Sequence, residues 1–467
     1  MNGLTLSTPV KRGLAELLFQ GQKQAYQANK PLLVSLSRPI NSNVNPQSLF
    51  SASRTGDSLT FWAKPDKDFW LVGKGSAARL IFHGPSAMCE AAREYNSLVK
   101  TALIEAPDVR GVGPVALGGF RFDTESRKAR GWRSYPDAML VIPQLLFTHS
   151  AASTWLTVNA IVAPGTDVVT QAEALTAELQ AEGLQPQGKN HQPVVTRVVQ
   201  DLPEQYSQYV RSALEAIKEG QLTKVVLARR KILHADGQFS LDNALGYLYS
   251  NYPDCSIFAI KNSGVGFFGA TPESLVGIDQ GRLDLTCLAG SAARGNTLEE
   301  DTKLEKELMG NPKERAEHAA VTALVTASLK DLCQELLWDN KPRILKLRNV
   351  QHLLTSVTGS LNHGNSILDV VKRLHPTPAV AGVPTEQAMS FIRNSENDRG
   401  WYAAPVGWVD HNGGGEFAVG IRSALLDGNR AVLYAGAGIV RGSDPDREFQ
   451  ETELKFQPLM AALTGSQ

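Results

Sequence analysis

The chain has 467 residues, with 47 basic and 47 acidic side chains and nine histidines. This balance gives no electrostatic reason to expect a nucleic-acid or anionic-membrane partner, so the ligand should be small. A length at the limit of one hydrophobic core predicts either one large α/β (α+β) domain with subdomains or two domains.

The cysteines are far apart in the sequence and show no CxxC spacing. They are Cys89, Cys255, Cys287 and Cys333. This pattern favours reduced, packed thiols in a cytoplasmic protein over a disulfide framework or a zinc site. No stretch reaches the ~20 apolar residues of a membrane span, and the first twenty residues lack the apolar core of a signal peptide. A short transit segment around Lys11 and Arg12 stays open, because that region is poor in acidic residues.

The first part of the chain alternates short apolar runs with turn-rich connections. Runs such as 32–34 and 138–142 predict β-strands of an α+β layer structure. The polar stretch between Ala181 and Pro193 predicts an exposed connection. We therefore divide the chain into an N-terminal part, 1–195, and a part denser in functional residue types, 196–467.

The second part predicts helices and strands in alternation. Helical periodicity covers Tyr206 to Glu219, and apolar runs predict strands at 224–233, 264–270 and 282–288. A long helix is expected from Pro312 to about Leu337, capped by Asn311. A final helix should run from Pro445 to Leu463, capped by Asp444 or Ser443.

Carboxylates interrupt the apolar faces of these last two helices. A helical wheel places Glu317 on a stripe with Val321, Leu324 and Leu332. Glu448, Glu451 and Lys455 share a face of the C-terminal helix, whereas Glu453 points elsewhere and is expected to be solvated.

Carboxylates that meet at the edge of a core repel one another unless a cation holds them. Oxygen ligands without a histidine or cysteine cluster favour a hard ion such as Mg²⁺. An ordinary Glu–Lys pair on a half-buried helix is the alternative.

Three further charged residues stand in apolar surroundings. Arg422 ends a predicted strand of small and apolar residues, where a guanidinium suits a carboxylate ligand or simply faces water. Lys224 opens the strand 224–228, and Glu273 lies in the turn 270–274. The other basic residues of that strand, 229–231, are expected at a solvated end.

His352 and His375 are more typical of hydrogen-bonded structural residues than of proton-transfer groups.

From about Tyr206 onward the chain resembles the chorismate-utilising enzymes, which include isochorismate, salicylate, anthranilate and aminodeoxychorismate synthases. The motifs that carry the resemblance are KVVLAR at 224–229, FGATPE at 268–273, LAGSAARG at 288–295, KERAEH at 313–318, VQHL at 350–353, HPTPAV at 375–380, GAGIV at 436–440 and EFQE at 448–451. The resemblance implies a large fold of packed β-sheets flanked by helices, with chorismate and Mg²⁺ in a cleft between the sheets. It also implies that residues 1–195 are the more variable half of the same fold.

Carried over by position, the resemblance implies Glu317 and Glu451 as magnesium ligands and Glu448 as a ligand or neighbour. The implied substrate-binding residues are Gly290, Ser291, His352, Thr377, Arg422, Gly438 and Lys455. Lys224 stands where ammonia-using relatives have glutamine, and Ala289 stands where aminodeoxychorismate synthases have lysine. Both positions imply water as the nucleophile, so no glutaminase subunit is expected.

The implied activity is the Mg²⁺-dependent conversion of chorismate to isochorismate, and residues 438–445 are most similar to the quinone-biosynthesis type. Lys224 would take a proton from water attacking C2, and Glu273 would protonate the departing C4 hydroxyl. The alternatives are a salicylate synthase, which then eliminates pyruvate, and a non-catalytic chorismate-binding subunit. Oligomeric state and the downstream product stay open.

Overall fold

The computed structural model describes residues 8–40, 44–51, 58–181, 193–295, 297–346 and 350–465. The connection expected between Ala181 and Pro193 falls on residues 182–192, which lie outside this described part. The helices are α1 (Thr8–Ala28), α2 (Pro46–Ser51), α3 (Ala87–Lys100), α4 (Val168–Ala181), α5 (Pro203–Lys218), α6 (Leu241–Asn251), α7 (Leu298–Gly310), α8 (Pro312–Leu329), α9 (Ile367–Leu374), α10 (Thr385–Ser395) and α11 (Pro445–Thr464).

The strands follow the short apolar runs of the sequence. They are β1 (Leu32–Pro39), β2 (Leu59–Lys64), β3 (Phe69–Lys74), β4 (Ala78–Phe82), β5 (Leu103–Glu105), β6 (Val115–Phe120), β7 (Ala138–Ile142), β8 (Leu145–Ser150), β9 (Ser153–Val162), β10 (Val195–Gln200), β11 (Lys224–Ala235), β12 (Ser256–Asn262), β13 (Val265–Thr271), β14 (Ser274–Asp279), β15 (Arg282–Ala293), β16 (Cys333–Trp338), β17 (Arg343–Lys346), β18 (Val350–Leu361), β19 (Gly382–Val383), β20 (Pro405–Asp410), β21 (Gly415–Val419), β22 (Ser423–Asp427) and β23 (Arg430–Val440).

These strands form two sheets, each of which contains strands from both parts of the chain. In the larger sheet the order is β10-β11-β23-β22-β13-β12-β2-β3-β8-β9-β1-β5, with β19 beside β11. In the smaller sheet the order is β16-β18-β15-β14-β21-β20-β6-β7-β4, with β17 beside β18. The packed sheets with flanking helices confirm the predicted mixed α/β fold.

The larger sheet is covered on both faces. In β2 and β3, Trp62 and Leu71 belong to one buried cluster, and their neighbours Phe61 and Val72 belong to another. Because successive side chains of a strand point to opposite faces, a strand buried on both faces reads as a continuous apolar run. This explains why the sequence shows apolar runs rather than strict alternation.

Two predictions about α8 are wrong. The helix ends at Leu329, and residues Cys333–Trp338 form β16 instead. The predicted apolar stripe is also misplaced, since Leu324 is 55% exposed. The buried positions of the helix are His318, Thr322, Thr326 and Leu329. Polar side chains therefore occupy much of the buried face of α8, and a hydropathy pattern cannot identify such a face.

The C-terminal helix begins and ends close to its predicted bounds. Asp444 caps α11 by accepting a hydrogen bond from the backbone N–H of Arg447. Among the described helices, none combines the length and the apolar character needed to cross a membrane.

Candidate active site

The chain crosses between the two sheets at two adjacent connections, which we call the seam. One connection, 272–273, joins β13 to β14, and the other, 420–422, joins β21 to β22. Hydrogen bonds tie the two together: the Val419 N–H donates to the Glu273 carbonyl at 3.0 Å, and the Ala270 N–H donates to the Arg422 carbonyl at 3.2 Å. The seam therefore places Glu273 and Arg422 at neighbouring points between the sheets.

Glu273 is half-buried in this seam. Burial raises the pKa of its carboxyl group, and the charges of Lys224, Lys455 and Arg422 partly counteract that rise. Within the described part of the chain, no hydrogen bond or ion pair reaches the carboxyl group itself. The site thus favours the protonated form of Glu273 more than water does, as a general acid requires.

Lys224 lies on the strand beside this group. It opens β11, where it pairs with Val440 of β23 and Val383 of β19. A Cβ atom built on Gly438 would stand 3.2 Å from the Cε atom of Lys224 and 3.9 Å from its Nζ atom. The lysine side chain therefore runs along the bare backbone of Gly438, and a side chain there would crowd it.

Arg422 does not end a strand, contrary to the prediction. Its backbone has a left-handed φ of 49° between β21 and β22, a conformation that a non-glycine residue adopts only under local constraint. Burial lowers the pKa of its guanidinium, while Tyr402, Cys255 and Glu451 act in the opposite direction. Arg422 is thus a half-buried cation of the seam, and the charge of Glu451 on α11 acts on it.

The acidic face of α11 stands next to the same strands. Lys455 donates hydrogen bonds to the Gly436 carbonyl at 2.8 Å and to Glu451 at 2.5 Å. Burial raises the pKa of Glu448; a hydrogen bond from Ser443 lowers it, and the charge of Glu451 raises it. The predicted grouping of Glu448, Glu451 and Lys455 on one helix face is therefore present.

Helix α8 approaches the site at Gly290. The ring of His318 hydrogen-bonds to the Ala289 carbonyl at 3.1 Å and to Thr355 at 2.7 Å, which fixes the helix against β15 and β18. Next to Ala289, Gly290 adopts a φ of 77° at a shift in strand register. A Cβ atom on Gly290 would lie 3.3 Å from a carboxylate oxygen of Glu314. Sequence reasoning missed Glu314, although it stands one helical turn before Glu317.

His352 connects the α8 side of the site to the lysines. Burial lowers its pKa, a hydrogen bond to the Gly290 backbone raises it, and the charges of Lys224 and Lys455 lower it. The lowered pKa favours the neutral imidazole, and the ring bonds to Gly290 on the α8 side of the site. Ser291 pairs with His352 through its backbone, and its side chain lies outside the described part.

The segment carrying Thr377 packs against the start of β11. The Val226 N–H donates to the Ala381 carbonyl at 2.9 Å, and the Thr223 N–H donates to the Val383 carbonyl at 2.7 Å. The buried hydroxyl of Thr377 has no hydrogen-bond partner in the described structure. His375 bonds through Nε2 to the Phe122 carbonyl at 3.1 Å, and burial lowers its pKa to about 4. His375 is thus a structural residue, as expected.

The three glutamates predicted to bind magnesium lie on two different helices, α8 and α11. Among the described residues, no group of three or more histidine, cysteine, aspartate or glutamate side chains is arranged to hold a metal. Glu448 and Glu451 are mutually close on α11, whereas Glu317 is half-buried on α8. The structure thus gives two acidic sets on two helices, and their sharing of one ion stays a prediction.

The predictions that Arg229, Lys231 and Glu453 are solvated are wrong. Arg229 and Lys231 of β11 are buried, and both form ion pairs with Glu453. Arg229 also donates a 2.6 Å hydrogen bond to Thr452, and its guanidinium lies 3.9 Å from the centre of the Phe449 ring. This cluster fastens α11 to β11. Alternation alone could not reveal it, because the partners are more than 200 residues apart in the sequence.

Cys89 is exposed, contrary to the prediction of packed thiols, while Cys287 and Cys333 are buried.

A separate cavity of about 640 Å³ lies between α8 and β16, lined partly by Arg315, Lys330 and Trp338. None of the seam residues lines this cavity, whereas His318 and Thr355 on the α8 side do.

Comparisons with known proteins agree with this architecture. The family model described as chorismate binding enzyme matches residues 20–464. The isochorismate synthase MenF of Bacillus subtilis is 36% identical over 98% of this chain and 99% of its own length. The salicylate biosynthesis isochorismate synthase of Pseudomonas aeruginosa is 32% identical over 95% of this chain and 92% of its own.

A solved structure extends the likeness to the fold. The structure of MenF, the menaquinone-specific isochorismate synthase from Escherichia coli, superposes with a TM-score of 0.77 at 26% identity. The match covers 97% of this chain and 99% of that one. Both parts of the chain therefore take part in the similarity.

Proposed function

The chain belongs to the family of chorismate-binding enzymes, and we infer that it is an isochorismate synthase, converting chorismate to isochorismate. Relatives with that activity in their names match it over nearly the whole of both chains. Residues 438–445 are more similar to isochorismate synthases of the menaquinone type than to the other members. The solved structure of that type shares the fold.

One observation carries the assignment of the site. Lys224, Glu273 and Arg422 are half-buried, and the charges of both cations act on the Glu273 carboxyl group, yet within the described residues no side-chain hydrogen bond or ion pair satisfies any of them. Partly buried charges without partners are costly unless a ligand meets them. A ring diacid such as chorismate supplies carboxylates for the cations and hydroxyl groups for the acid and base.

We propose that Lys224, as the unprotonated amine, takes a proton from the water that attacks C2 of chorismate. A new C–O bond forms at C2, the double bonds shift, and the C–O bond at C4 breaks. Glu273 gives its proton to the departing hydroxyl, which leaves as water. Lys224 is then protonated and Glu273 ionised, so one proton must return from the lysine to the glutamate through solvent before the next turnover.

The remaining predicted residues suit the binding of the substrate. Arg422 can bind one carboxylate through two parallel N–H donors, and Lys455 can add a second cation. Gly290 and Gly438 have no side chain, so their backbone allows close approach of a flat ring, and the backbone of Ser291 follows directly after Gly290. The free hydroxyl of Thr377 and the neutral ring of His352 would complete the hydrogen bonds to its oxygens.

The acidic residues fit a bound Mg²⁺. Glu451 raises the pKa of Glu448 because two like charges stand close on a half-buried helix face, and a divalent cation would relieve that repulsion. We propose that Glu451 and Glu317 hold the ion and that Glu448 acts as a ligand or neighbour. When bound, Mg²⁺ would neutralise and orient a substrate carboxylate.

Product identification tests the activity. Incubated with chorismate and Mg²⁺, the purified protein should release isochorismate, detected by chromatography. Salicylate with pyruvate would instead identify the alternative, a salicylate synthase. Chorismate that is bound but unchanged would identify a non-catalytic subunit.

Two neighbouring glutamates on α11 offer a matched test of the metal site. EDTA should abolish turnover, and Mg²⁺ should restore it. Glu451→Gln should weaken Mg²⁺ binding ~10-fold or more, as expected on losing one anionic ligand, measured by calorimetry and by the Mg²⁺-dependent shift in melting temperature. Glu453→Gln alters the ion pairs with Arg229 and Lys231 and should leave Mg²⁺ affinity unchanged. Equal effects of both variants would contradict the assignment.

A further inference from the structure

The strand that carries Lys224 lacks a strand partner along part of one edge. On that edge β11 pairs with β19 only at residues 224–225, and with β10 only from residue 231 onward. Residues 226–230, between these two pairings, are buried or half-buried, and buried N–H and C=O groups need hydrogen-bond partners. The gap begins two residues after Lys224.

Side chains fill this gap. Glu396 accepts a 2.7 Å hydrogen bond from the Ala228 N–H, and Arg399 donates a 2.7 Å hydrogen bond to the Val226 carbonyl. The two residues also form a two-point ion pair, with both bonds at 2.8 Å. Each side chain is only 3% exposed. The ion pair thus presents an acceptor and a donor to β11, as a neighbouring strand would.

Arg399 also reaches the segment that carries Thr377. Its Nη1 atom donates a 2.8 Å hydrogen bond to the Val380 carbonyl, while Nη2 holds the Val226 carbonyl. One rigid guanidinium therefore fixes the distance between β11 and the chain that follows Thr377. A lysine ammonium at this position could not meet all of these acceptors, because it lacks the planar fork of donors.

We propose that Glu396 and Arg399 are positioning residues for Lys224, holding its strand and the Thr377 segment in the relative placement that proton transfer requires. This inference rests on the proposed role of Lys224 as base. Neither residue needs to touch the substrate. The effect arises because displacement of a catalytic group by about 1 Å can cost on the order of 10²-fold in rate.

Arg399→Lys tests the proposal, since it keeps the charge but loses the fork. The assay is run well below the melting temperature of the variant. We expect kcat for chorismate to fall ~10-fold or more, with a much smaller change in KM. Glu396→Gln is the second variant if the first folds poorly: it keeps the acceptor for the Ala228 N–H, loses the ion pair, and should also lower kcat. A kcat within about twofold of the parent in either folded variant would overturn the proposal.

A double-mutant cycle separates positioning from a general loss of structure. If Arg399 acts through Lys224, Arg399→Lys should cause little further loss of kcat in a Lys224→Ala background, whereas independent effects would multiply. Multiplied losses would overturn the proposal. Glu416→Gln, at another buried ion-pair site, serves as the control and should change stability but not kcat. If the parent protein itself leaves chorismate unchanged, the proposed function fails instead.

Discussion

Two carboxylates between the sheets, the buried Glu416 and the half-buried Glu273, have opposite surroundings. Glu416 of β21 accepts hydrogen bonds from Trp62 Nε1 at 3.2 Å and from Arg110 at 2.7 Å, and it pairs with Lys64 at 3.2 Å. Glu273 of the seam has cations nearby, but within the described residues none bonds to its carboxyl group. A structural carboxylate is saturated by the protein, whereas a carboxylate prepared for a ligand keeps its bonding capacity.

The largest effect is expected at Lys224, on kcat rather than on the melting temperature. Lys224→Ala should lower kcat ~10²-fold or more, the usual contribution of a general base. The melting temperature should stay close to that of the parent, because no described hydrogen bond of the Lys224 side chain is lost. Steady-state kinetics with chorismate and a thermal melt check both expectations.

Parental turnover in the Lys224→Ala variant would show that another group takes the proton. A large fall in melting temperature would show instead that the amine is a structural partner, like those of Glu416. Either result would remove the distinction between the two regions.

The next effect is expected at Glu416, on stability rather than activity. Glu416→Gln should reduce the free energy of unfolding by about 1–3 kcal/mol, since buried donors lose a charged acceptor. Its kcat should match that of the parent. Urea unfolding monitored by fluorescence gives the first quantity, and a chorismate assay gives the second. A loss of kcat at unchanged stability would contradict the contrast.

Of these two carboxylates, only Glu273 could be identified as a candidate site residue from the sequence. Lys224, Glu273 and Arg422 stood out because charges in apolar runs are visible in a sequence, and the family resemblance then suggested roles for them. The partners of Glu416, by contrast, come from β2 and from the loop at Arg110, more than 300 residues earlier in the chain. Such pairings depend on the packing of two sheets, which local periodicity does not contain.

The dependence on tertiary packing also explains the predictions that are wrong. Arg229 and Lys231 were predicted to be solvated because a run of basic residues usually ends a strand in water, yet α11 returns from the end of the chain to cover them. The prediction that Arg422 ends a strand is wrong because residues 417–421 read as one run of small and apolar residues, whereas the strand ends at Val419. The division of residues 417–424 between two sheets depends on tertiary packing, and it creates the seam.

The smallest expected effect concerns the pH dependence of stability at Glu273. Its pKa is raised in the folded state, so stability is fully present below the unfolded pKa of about 4.3 and declines as pH rises through the raised folded value. Glu273→Gln removes this titration. The variant should therefore be at least as stable as the parent near pH 8, and the difference in melting temperature should be smaller near pH 4. A variant that is less stable than the parent at pH 8 would mean that the ionised carboxylate has a structural partner, so that Glu273 would belong with Glu416.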